Sequence, residues 1–291
     1  MASRGRPRHQ SVSASLQPSA DAETDTVAMT EPLTAQVRWT LPVVPLSDGP
    51  VPAVDRDTML AVDQIATDRL GISLLQMMEN AGRELATLSR LVLGGSAAGS
   101  RVVVLAGTGN NAGGGMVAAR RLAGWGASVL VVFARPVLRL RPGPCAQLDP
   151  LLASGAEVVV AGHDQSYPEI AAETLRADLL IDALIGYSLR GAPDDDYRPI
   201  IGMTSVSSSP VISLDIPSGI DASTGERRGA AVDADATLAL ALPKLGTTVG
   251  EGKRFAGALY LADIGIPASV FREVGVEPGL LFAAGSLLRV G

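Results

Sequence analysis

Residues 107–115, with the sequence GTGNNAGGG, combine glycines and two asparagines in a spacing that suits a phosphorylated ligand. Glycine lets the backbone approach a phosphate at a point where a Cβ atom would intervene. The segment lies between an apolar stretch and a helical one, and the N-terminus of a helix presents free backbone N–H groups to an anion. Asn110 and Asn111 add amide oxygens, which a phosphate does not need. This turn is therefore predicted to bind a phosphorylated ligand beside a cation.

Two aspartates, Asp182 and Asp215, end apolar stretches further along the chain. A carboxylate at the end of a buried strand is costly unless it is hydrogen-bonded, paired or bound to a cation. Each aspartate could simply cap the turn that follows it, but two of them beside a Gly-Asn turn favour a functional site. Carboxylates in clefts serve acid–base chemistry, and oxygen ligands without His or Cys favour a hard cation.

The elements that must position these residues follow from the hydrophobic periodicity of the chain. Short apolar stretches predict strands at 101–106, 128–133, 156–160, 178–182, 211–214, 235–241 and 257–262. Helical spacing predicts helices over 55–68, 73–93, 113–125, 144–153, 167–175, 194–204 and 226–232. This alternation predicts a parallel sheet with helices on both faces. Ligands of such sheets bind beyond the carboxyl ends of the strands, where the turn and both aspartates lie.

Composition and charge restrict the class of protein. Residues 1–48 are polar and predicted to be a disordered tail, and residues 49–291 are predicted to form one domain. Apolar residues make up 47% of the chain and aromatic residues 3%, which suits a sheet covered on both faces. The net charge of −6 argues against nucleic acid and an anionic membrane surface, and no apolar run is long enough to cross a bilayer. Cys145 is the only cysteine, which excludes an internal disulfide and favours a cytoplasmic location.

The same glycine-rich turn leaves an alternative open. Residues 107–112 match the Gly-x-Gly-x-x-Ala form of the dinucleotide-binding fingerprint. No acid follows the second predicted strand to meet a ribose hydroxyl, but Arg135 could meet a 2′-phosphate. An NADP-dependent dehydrogenase is therefore an alternative, although it leaves Asn110, Asn111 and the DIPSG segment unexplained.

Four blocks of sequence, in this order, resemble the YjeF N-terminal domain family, the NAD(P)H-hydrate epimerases. They are MMENAGRELA, AGTGNNAGGGMVAARRLAGWG, IDALIGYSLRG and LDIPSGIDASTG, between about Ala53 and Ile266. The resemblance implies a three-layer αβα Rossmann-like domain with a mostly parallel sheet, often in a homodimer. It also implies an isomerase that interconverts the R and S forms of NADHX and NADPHX. This repair step would serve a separate dehydratase that accepts only the S form.

The resemblance also implies the residues of the site. One potassium ion per subunit would be held by Asn111, Asp182 and Ser218. Asp215 is the expected catalytic acid or base. The substrate would contact Asp215 together with residues of the first turn and of the loop after the fourth strand, namely Asn110, Asn111, Ala112, Gly113, Gly114, Gly186, Tyr187, Ser188, Leu189, Arg190 and Gly191.

The turn departs from the family pattern at two positions. The family usually reads Asn-Asn-Gly-Gly-Asp-Gly, whereas this chain has Ala112 in place of the first glycine and Gly114 in place of the aspartate. The change at 114 removes a hydrogen-bond acceptor from the expected ligand site. A nucleotide-binding or scaffold module of the same fold, with weakened catalysis, is therefore a second alternative. Nucleotide binding without turnover would identify such a module, and hydride transfer would identify a dehydrogenase.

Overall fold

The computed structural model of the protein describes residues 40–47 and 49–291. These residues belong to one compact unit. The disorder predicted for the first 39 residues and for residue 48 lies outside the described residues, and the domain boundary stays a prediction. Within the described part of the chain, no helix is long and apolar enough to cross a membrane.

The described residues contain one sheet of eight strands, in which neighbouring strands are parallel except for the last pair. The strands are β1 (Arg101–Ala106), β2 (Ser128–Phe133), β3 (Glu157–Val160), β4 (Leu179–Ala183), β5 (Val211–Leu214), β6 (Ala236–Leu240), β7 (Ala258–Ala262) and β8 (Leu287–Arg289). Their order across the sheet is β3-β2-β1-β4-β5-β6-β7-β8. The seven predicted strands and the mostly parallel sheet are confirmed. Strand β8 was not predicted because three residues are too few to show a period.

Helices connect the strands and cover the sheet. They are α1 (Arg56–Gln64), α2 (Leu74–Val92), α3 (Asn110–Gly124), α4 (Pro142–Cys145), α5 (Leu148–Ala153), α6 (Tyr167–Arg176), α7 (Arg198–Val206), α8 (Gly250–Phe255) and α9 (Ala268–Glu273). A π-helical turn, Ile65–Arg69, continues α1, and a capping box at Ser73 begins α2. The helix predicted over 226–232 is wrong, because Arg227 bridges back to Ile220 and Gly229 has a φ of 98°.

The core has one part on each face of the sheet, since successive strand residues point to opposite sides. Val104 of β1 packs in one core cluster with Leu85 of α2 and Met116 of α3. The next residue, Leu105, belongs to a second cluster with Ile170 of α6 and Ile200 of α7. The predicted three-layer αβα architecture is therefore confirmed.

The chain order of the sheet reverses between β1 and β4, which are neighbours although β2 and β3 lie between them in the chain. Open α/β sheets bind ligands in the crevice at this point. Helix α3 starts there and packs closely on its surroundings. A Cβ atom at Gly115 would lie 2.6 Å from the Cβ of Ala183. The glycines of α3 therefore let it lie directly on β4.

Two stretches before α1 also join the sheet. Residues 45–47 pair with Arg289 of β8 through two backbone hydrogen bonds of 2.9 Å. The sequence analysis instead predicts these residues to be part of the disordered tail. Val54 forms a parallel bridge with Lys244. This second pairing places α1 beside the carboxyl ends of the central strands, because α1 begins two residues after Val54.

Candidate functional site

A cavity of about 420 Å³ lies at the carboxyl ends of the central strands. It is lined by most of the predicted substrate residues, namely Asn110, Asn111, Gly114, Gly186, Tyr187, Ser188, Leu189, Arg190 and Asp215. Ala112, Gly113 and Gly191 are not among its lining residues. Ala112 is fully buried, and a Cβ atom at Gly113 would lie 2.5 Å from the sulfur of Met78. These two residues pack α3 against its neighbours instead of facing the cavity.

Helix α3 begins at Asn110, three residues earlier than predicted, with Gly109 as its N-cap. The backbone N–H groups in the first turn of a helix have no partner within the helix. Those of Asn110 and Asn111 are therefore available at the edge of the cavity for an anionic group. Gly107 allows this turn to form, since a Cβ atom there would lie 2.0 Å from the carbonyl oxygen of Leu184.

Asp182 lies beneath the cavity, fully buried, and accepts several hydrogen bonds. The hydroxyl of Ser218 donates to Oδ1 over 2.6 Å, and its backbone N–H donates to Oδ2 over 2.8 Å. The hydroxyl of Ser213 also donates to Oδ2 over 2.8 Å. Burial raises the pKa of the Asp182 carboxyl, and the bonds from Ser218 and Ser213 oppose that rise. Asp182 and Ser218, two of the ion ligands that the resemblance implies, are therefore in direct contact.

Asn111, the third predicted ion ligand, contacts the end of β5 and the loop after β4. Its Nδ2 donates to the carbonyl of Leu214 over 3.2 Å, and its Oδ1 would lie 3.4 Å from a Cβ atom at Gly186. Asn111, Asp182 and Ser218 supply an amide oxygen, a carboxylate and a hydroxyl. Such a donor set fits a hard cation held by oxygen atoms, without nitrogen or sulfur ligands.

Asp215 forms a buried ion pair with Lys244 in the wall of the cavity. Both side chains are almost completely buried, with relative exposures of 2% for Asp215 and 0% for Lys244. Oδ2 of Asp215 also accepts the backbone N–H of Tyr187 over 3.2 Å. Because buried charges are costly unless they are paired, the Lys244 ammonium is what allows a charged carboxylate at this position.

Lys244 is held by the strand next to that of Asp215. Its Nζ donates to the carbonyls of Leu240 and Leu242 over 2.9 and 3.2 Å, as well as contacting Asp215. These three partners match the three N–H donors of an ammonium group. Lys244 is therefore a fixed positive charge in the wall of the site.

The backbone is unusual at the end of both of these strands. Asp215 has a φ of 71°, and the N–H of Ile216 donates to the carbonyl of Leu214 over 2.9 Å. Ala241, at the end of β6, has a φ of 61° and is spanned in the same way by Leu240 and Leu242. A γ-turn with positive φ is rare and strained. Such strain is concentrated at functional sites, and here it aims the Asp215 carboxylate at Lys244.

Tyr187 connects Asp215 to a further carboxylate, that of Asp63 in α1. The Tyr187 hydroxyl donates to Oδ2 of Asp63, and its ring centroid lies 5.7 Å from Nζ of Lys244. Burial raises the pKa of the Asp63 carboxyl, while Tyr187 and Lys244 oppose that rise. Burial and the neighbouring Asp63 also raise the pKa of the Tyr187 hydroxyl.

The sequence did not identify Lys244 or Asp63 as site residues. The sequence does offer an indication of a role for Lys244, because it is one of two lysines in the chain and lies in the apolar block LALPKLGT. The sequence offers no such indication for Asp63, since an acidic residue on an amphipathic helix usually faces solvent. Arg135 does line the cavity, but its guanidinium is paired with Asp194 and Asp196. A ligand phosphate would have to compete with these two carboxylates for it.

Comparison with known proteins identifies the family. The sequence pattern described as YjeF-related protein N-terminus matches residues 74–246. The chain is 43% identical over 235 residues to an NAD(P)H-hydrate epimerase of Dehalogenimonas lykanthroporepellens, covering 80% of this chain and 90% of the relative. A second NAD(P)H-hydrate epimerase, from Truepera radiovictrix, is 36% identical over 74% of this chain and 90% of the relative.

Two further proteins are also similar to this chain. A bifunctional NAD(P)H-hydrate repair enzyme Nnr of Salinibacter ruber is 34% identical over 78% of this chain, which spans 43% of that longer protein. The crystal structure of the yeast protein ynu0 matches with a TM-score of 0.71 at 22% identity, covering 82% of this chain and 100% of that one, and supports the fold. Together with the cavity at the β1–β4 crevice, these matches show that the chain belongs to the YjeF-related protein N-terminus family.

Proposed function

We propose that this protein is an isomerase that interconverts the R and S forms of hydrated nicotinamide cofactors, NADHX and NADPHX. Relatives that it covers over 90% of their length are named NAD(P)H-hydrate epimerase. The observation that carries the proposal is the buried Asp215–Lys244 pair beside the first turn of α3 in one cavity. The helix turn could receive the phosphates of a dinucleotide, and the carboxylate of the ion pair would then lie beside the reacting ring.

The reaction needs proton transfer and no oxidation. In the hydrated ring, C6 carries a hydroxyl group and is bonded to the ring nitrogen N1. When the hydroxyl loses its proton, the C6–N1 bond can break to give an aldehyde, and N1 takes up a proton. Closure on the other face of the aldehyde gives the opposite epimer. The Asp215 carboxylate would take the hydroxyl proton and return it to the oxygen on closure.

We also propose that Asn111, Asp182 and Ser218 bind one potassium ion per subunit. Such an ion would offset the negative charge of the substrate diphosphate in the crevice. The test is the melting temperature in potassium chloride against choline chloride at equal ionic strength. Potassium should raise it for the wild type and not for Ser218→Ala, because an ion bound only by the native state stabilises that state. Equal melting temperatures of the wild type in the two salts would contradict the proposal.

The proposed partners follow from the reaction and from the bifunctional relatives. We propose that a separate dehydratase consumes the S epimer, since a longer relative is named as a bifunctional repair enzyme. We further propose a cytoplasmic location, which the single cysteine favours, and a homodimer. Light scattering after size exclusion would test the dimer, and a monomeric mass would contradict it.

The decisive experiment follows recovery of NADH from R-NADHX in the presence of a dehydratase specific for the S form. It uses potassium buffer at a pH at which spontaneous epimerisation is slow. The protein should accelerate recovery, and Asp215→Asn should abolish the acceleration. This substitution is well matched, because Asn keeps the shape and tolerates the positive φ of 71°. Circular dichroism would establish that the variant is folded.

The two alternatives correspond to different outcomes of this experiment. Binding of the hydrated cofactor without acceleration would identify a nucleotide-binding or scaffold module and would contradict the epimerase. Hydride transfer from NADPH to a carbonyl compound would identify a dehydrogenase. An active Asp215→Asn variant would leave the activity in place but remove Asp215 from the mechanism.

A further inference from the structure

One side of the proposed reaction has no assigned residue. Opening of the ring moves a proton away from the C6 oxygen and brings another to N1. Asp215 can serve the oxygen, but Lys244 cannot readily serve N1, because its three donors are occupied by Asp215, Leu240 and Leu242. A second proton-exchanging group in the same cavity could supply the proton that N1 takes up while Asp215 serves the oxygen.

Tyr187 and Asp63 have the position that such a group needs. Both line the cavity, and they are joined by a hydrogen bond between residues 124 positions apart in the chain. Asp215 contacts the backbone N–H of Tyr187, whereas Asp63 contacts its hydroxyl. The two carboxylates thus lie at the two ends of one tyrosine. A substrate ring lying along Tyr187 would meet a proton-exchanging group at each end.

The local structure of α1 supports a functional role for Asp63. The helix changes to a π-helical turn at Ile65, directly after the turn that carries Asp63. Short π-helical segments are rare and often occur at functional sites. The Thr67 hydroxyl donates to the backbone carbonyl of Asp63 over 2.9 Å, within this irregular turn. Thr67 therefore holds the backbone of Asp63, and Tyr187 holds its side chain.

We propose that Tyr187 and Asp63 form a second proton-transferring pair, which serves N1 while Asp215 serves the C6 oxygen. During ring opening, the C6–N1 bond breaks, its electron pair moves to N1, and N1 takes a proton from the Tyr187 hydroxyl. As Tyr187 gives its proton to N1, the Asp63 carboxyl donates its own proton to the Tyr187 oxygen, so that the hydrogen bond between the two side chains reverses its direction. On closure N1 attacks the other face of the aldehyde, its proton returns through Tyr187 to Asp63, and Asp215 returns a proton to the oxygen. Atoms, protons and electrons balance, and no redox partner is needed.

The electrostatics of the pair agree with this role. The titratable or charged groups that act on Asp63 are Tyr187, Lys244 and Asp215. Burial raises the pKa of the Asp63 carboxyl, so that Asp63 holds its proton to higher pH than an exposed aspartate. One of the two carboxylates in the site, Asp215, is paired with a cation, whereas Asp63 is half-buried and has no cation in contact with it in the part of the chain that the structure describes. Such a difference in environment divides two carboxylates into a base and an acid.

The inference rests on the proposed epimerase, and kinetics of three variants test it. Tyr187→Phe removes only the hydroxyl, Asp63→Asn removes the titrating group, and the double variant removes both. Each single variant should lower kcat by about 100-fold with little change in KM, as expected for loss of a general acid–base group. The double variant should be no slower than the singles, because the two residues act as a unit.

The pH profile separates a proton-transferring role from a structural one. Wild-type kcat should fall as the pH rises through the raised pKa of Asp63, and Asp63→Asn should lack that decrease. Asp63→Glu should restore part of the activity. The matched controls are Asp68→Asn in the adjoining π-helical turn and Tyr167→Phe at the start of α6, which remove the same groups outside the cavity.

The outcomes of this test are distinct from those of the proposed function. If the wild type does not accelerate epimerisation, the proposed function itself is contradicted. If the wild type is active but folded Tyr187→Phe and Asp63→Asn keep kcat within twofold, the second pair is contradicted. A change in KM alone, with the pH profile of the wild type retained, would also overturn it.

Discussion

The charge pair of Asp215 and Lys244 makes each residue depend on the other. A buried pair adds little stability of its own, but removal of one partner leaves an uncompensated charge. Lys244 is fully buried and also satisfies the carbonyls of Leu240 and Leu242. The effect of a single substitution here therefore combines the lost contacts with the cost of the remaining charge.

Substitution of Lys244 by methionine should strongly destabilise the protein. It keeps an unbranched chain of similar length but leaves the Asp215 carboxylate without its cation. We expect the free energy of unfolding to fall by about 3–5 kcal/mol. The double variant Lys244→Met, Asp215→Asn should recover part of that loss, because its side chains at 244 and 215 are both neutral. Urea unfolding of the wild type and the two variants measures this, and a double variant less stable than Lys244→Met would contradict it.

Gly114 is one of the two positions at which the turn departs from the pattern that the resemblance implies, and the structure shows which side chain lies beside it. A Cβ atom at 114 would lie 2.8 Å from Cδ2 of Leu214, a flexible end that also lines the cavity. We expect Gly114→Asp alone to lower the free energy of unfolding by about 1–3 kcal/mol through overpacking. Leu214→Ala in the same chain should remove the overlap.

The double variant Gly114→Asp, Leu214→Ala is therefore the better test of a carboxylate at 114. We expect it to bind or turn over NADHX better than Leu214→Ala alone, because the carboxylate restores an acceptor at the cavity. Chemical unfolding and the coupled dehydratase assay measure the two effects. Equal activity of these two variants would show that the present ligand does not use such an acceptor.

Two glycines of helix α3 differ in how closely their surroundings approach them. Gly115 faces β4, where an added Cβ would lie 2.6 Å from Ala183. Gly124, the last residue of the helix, has no heavy atom within 4 Å of an added Cβ. The first glycine is thus required by packing, whereas the second is not.

Alanine at these two positions should have opposite effects on stability. Gly115→Ala should cost about 1–3 kcal/mol, because it overpacks the contact with β4. Gly124→Ala should add up to about 1 kcal/mol, because alanine is the better helix former. Thermal unfolding of both variants provides the comparison. A stabilising Gly115→Ala would contradict the close packing of α3 on β4.

The strands of this fold can be predicted from the sequence more accurately than the helix boundaries. The parallel strands were clear in the sequence, because strands covered on both faces are almost continuously apolar. The start of α3 was placed three residues late, because its first turn is rich in asparagine and glycine, which are weak helix formers. The helix predicted at 226–232 failed, since Gly229 adopts a positive φ that ends such a pattern.

The sequence predicts only those site residues whose positions follow from a local pattern. Asp182 and Asp215 could be predicted because they end strands that the sheet must bring side by side, whereas Ser218 follows only from the resemblance to the family. The Asp63–Tyr187 contact joins a helix before the first strand to a loop after the fourth, and no local pattern indicates it. The same holds for the γ-turn at Asp215, since its strain arises from the strands around it.

At the scale of the whole molecule, the half-buried carboxyl of Asp63 should make stability depend on pH. The folded-state pKa of Asp63 is raised above 3.8 by burial, so the folded protein binds more protons there than the unfolded chain. Its contribution to stability is complete below that value and is lost as the pH rises through the folded pKa. The wild type should therefore lose stability relative to Asp63→Asn as the pH rises from the acid side towards neutral.

Urea unfolding at a series of pH values measures this difference, with Asp68→Asn as the control. Asp68 lies in the neighbouring π-helical turn but is exposed, so its substitution should leave the pH dependence unchanged. A constant difference in unfolding free energy between the wild type and Asp63→Asn across the series would show that Asp63 does not titrate as described.

The bridge between Val54 and Lys244 restricts the order in which the site can form during translation. The helix that carries Asp63 leaves the ribosome before any strand of the sheet, and 124 residues before Tyr187. The bridge from Val54 to Lys244 cannot form until β6 and the residues after it have been synthesised. Contacts this distant in sequence form late, because a long loop must close first. A nascent chain that already contains the glycine-rich turn, Asp182 and Asp215 therefore cannot yet complete its acid–base site.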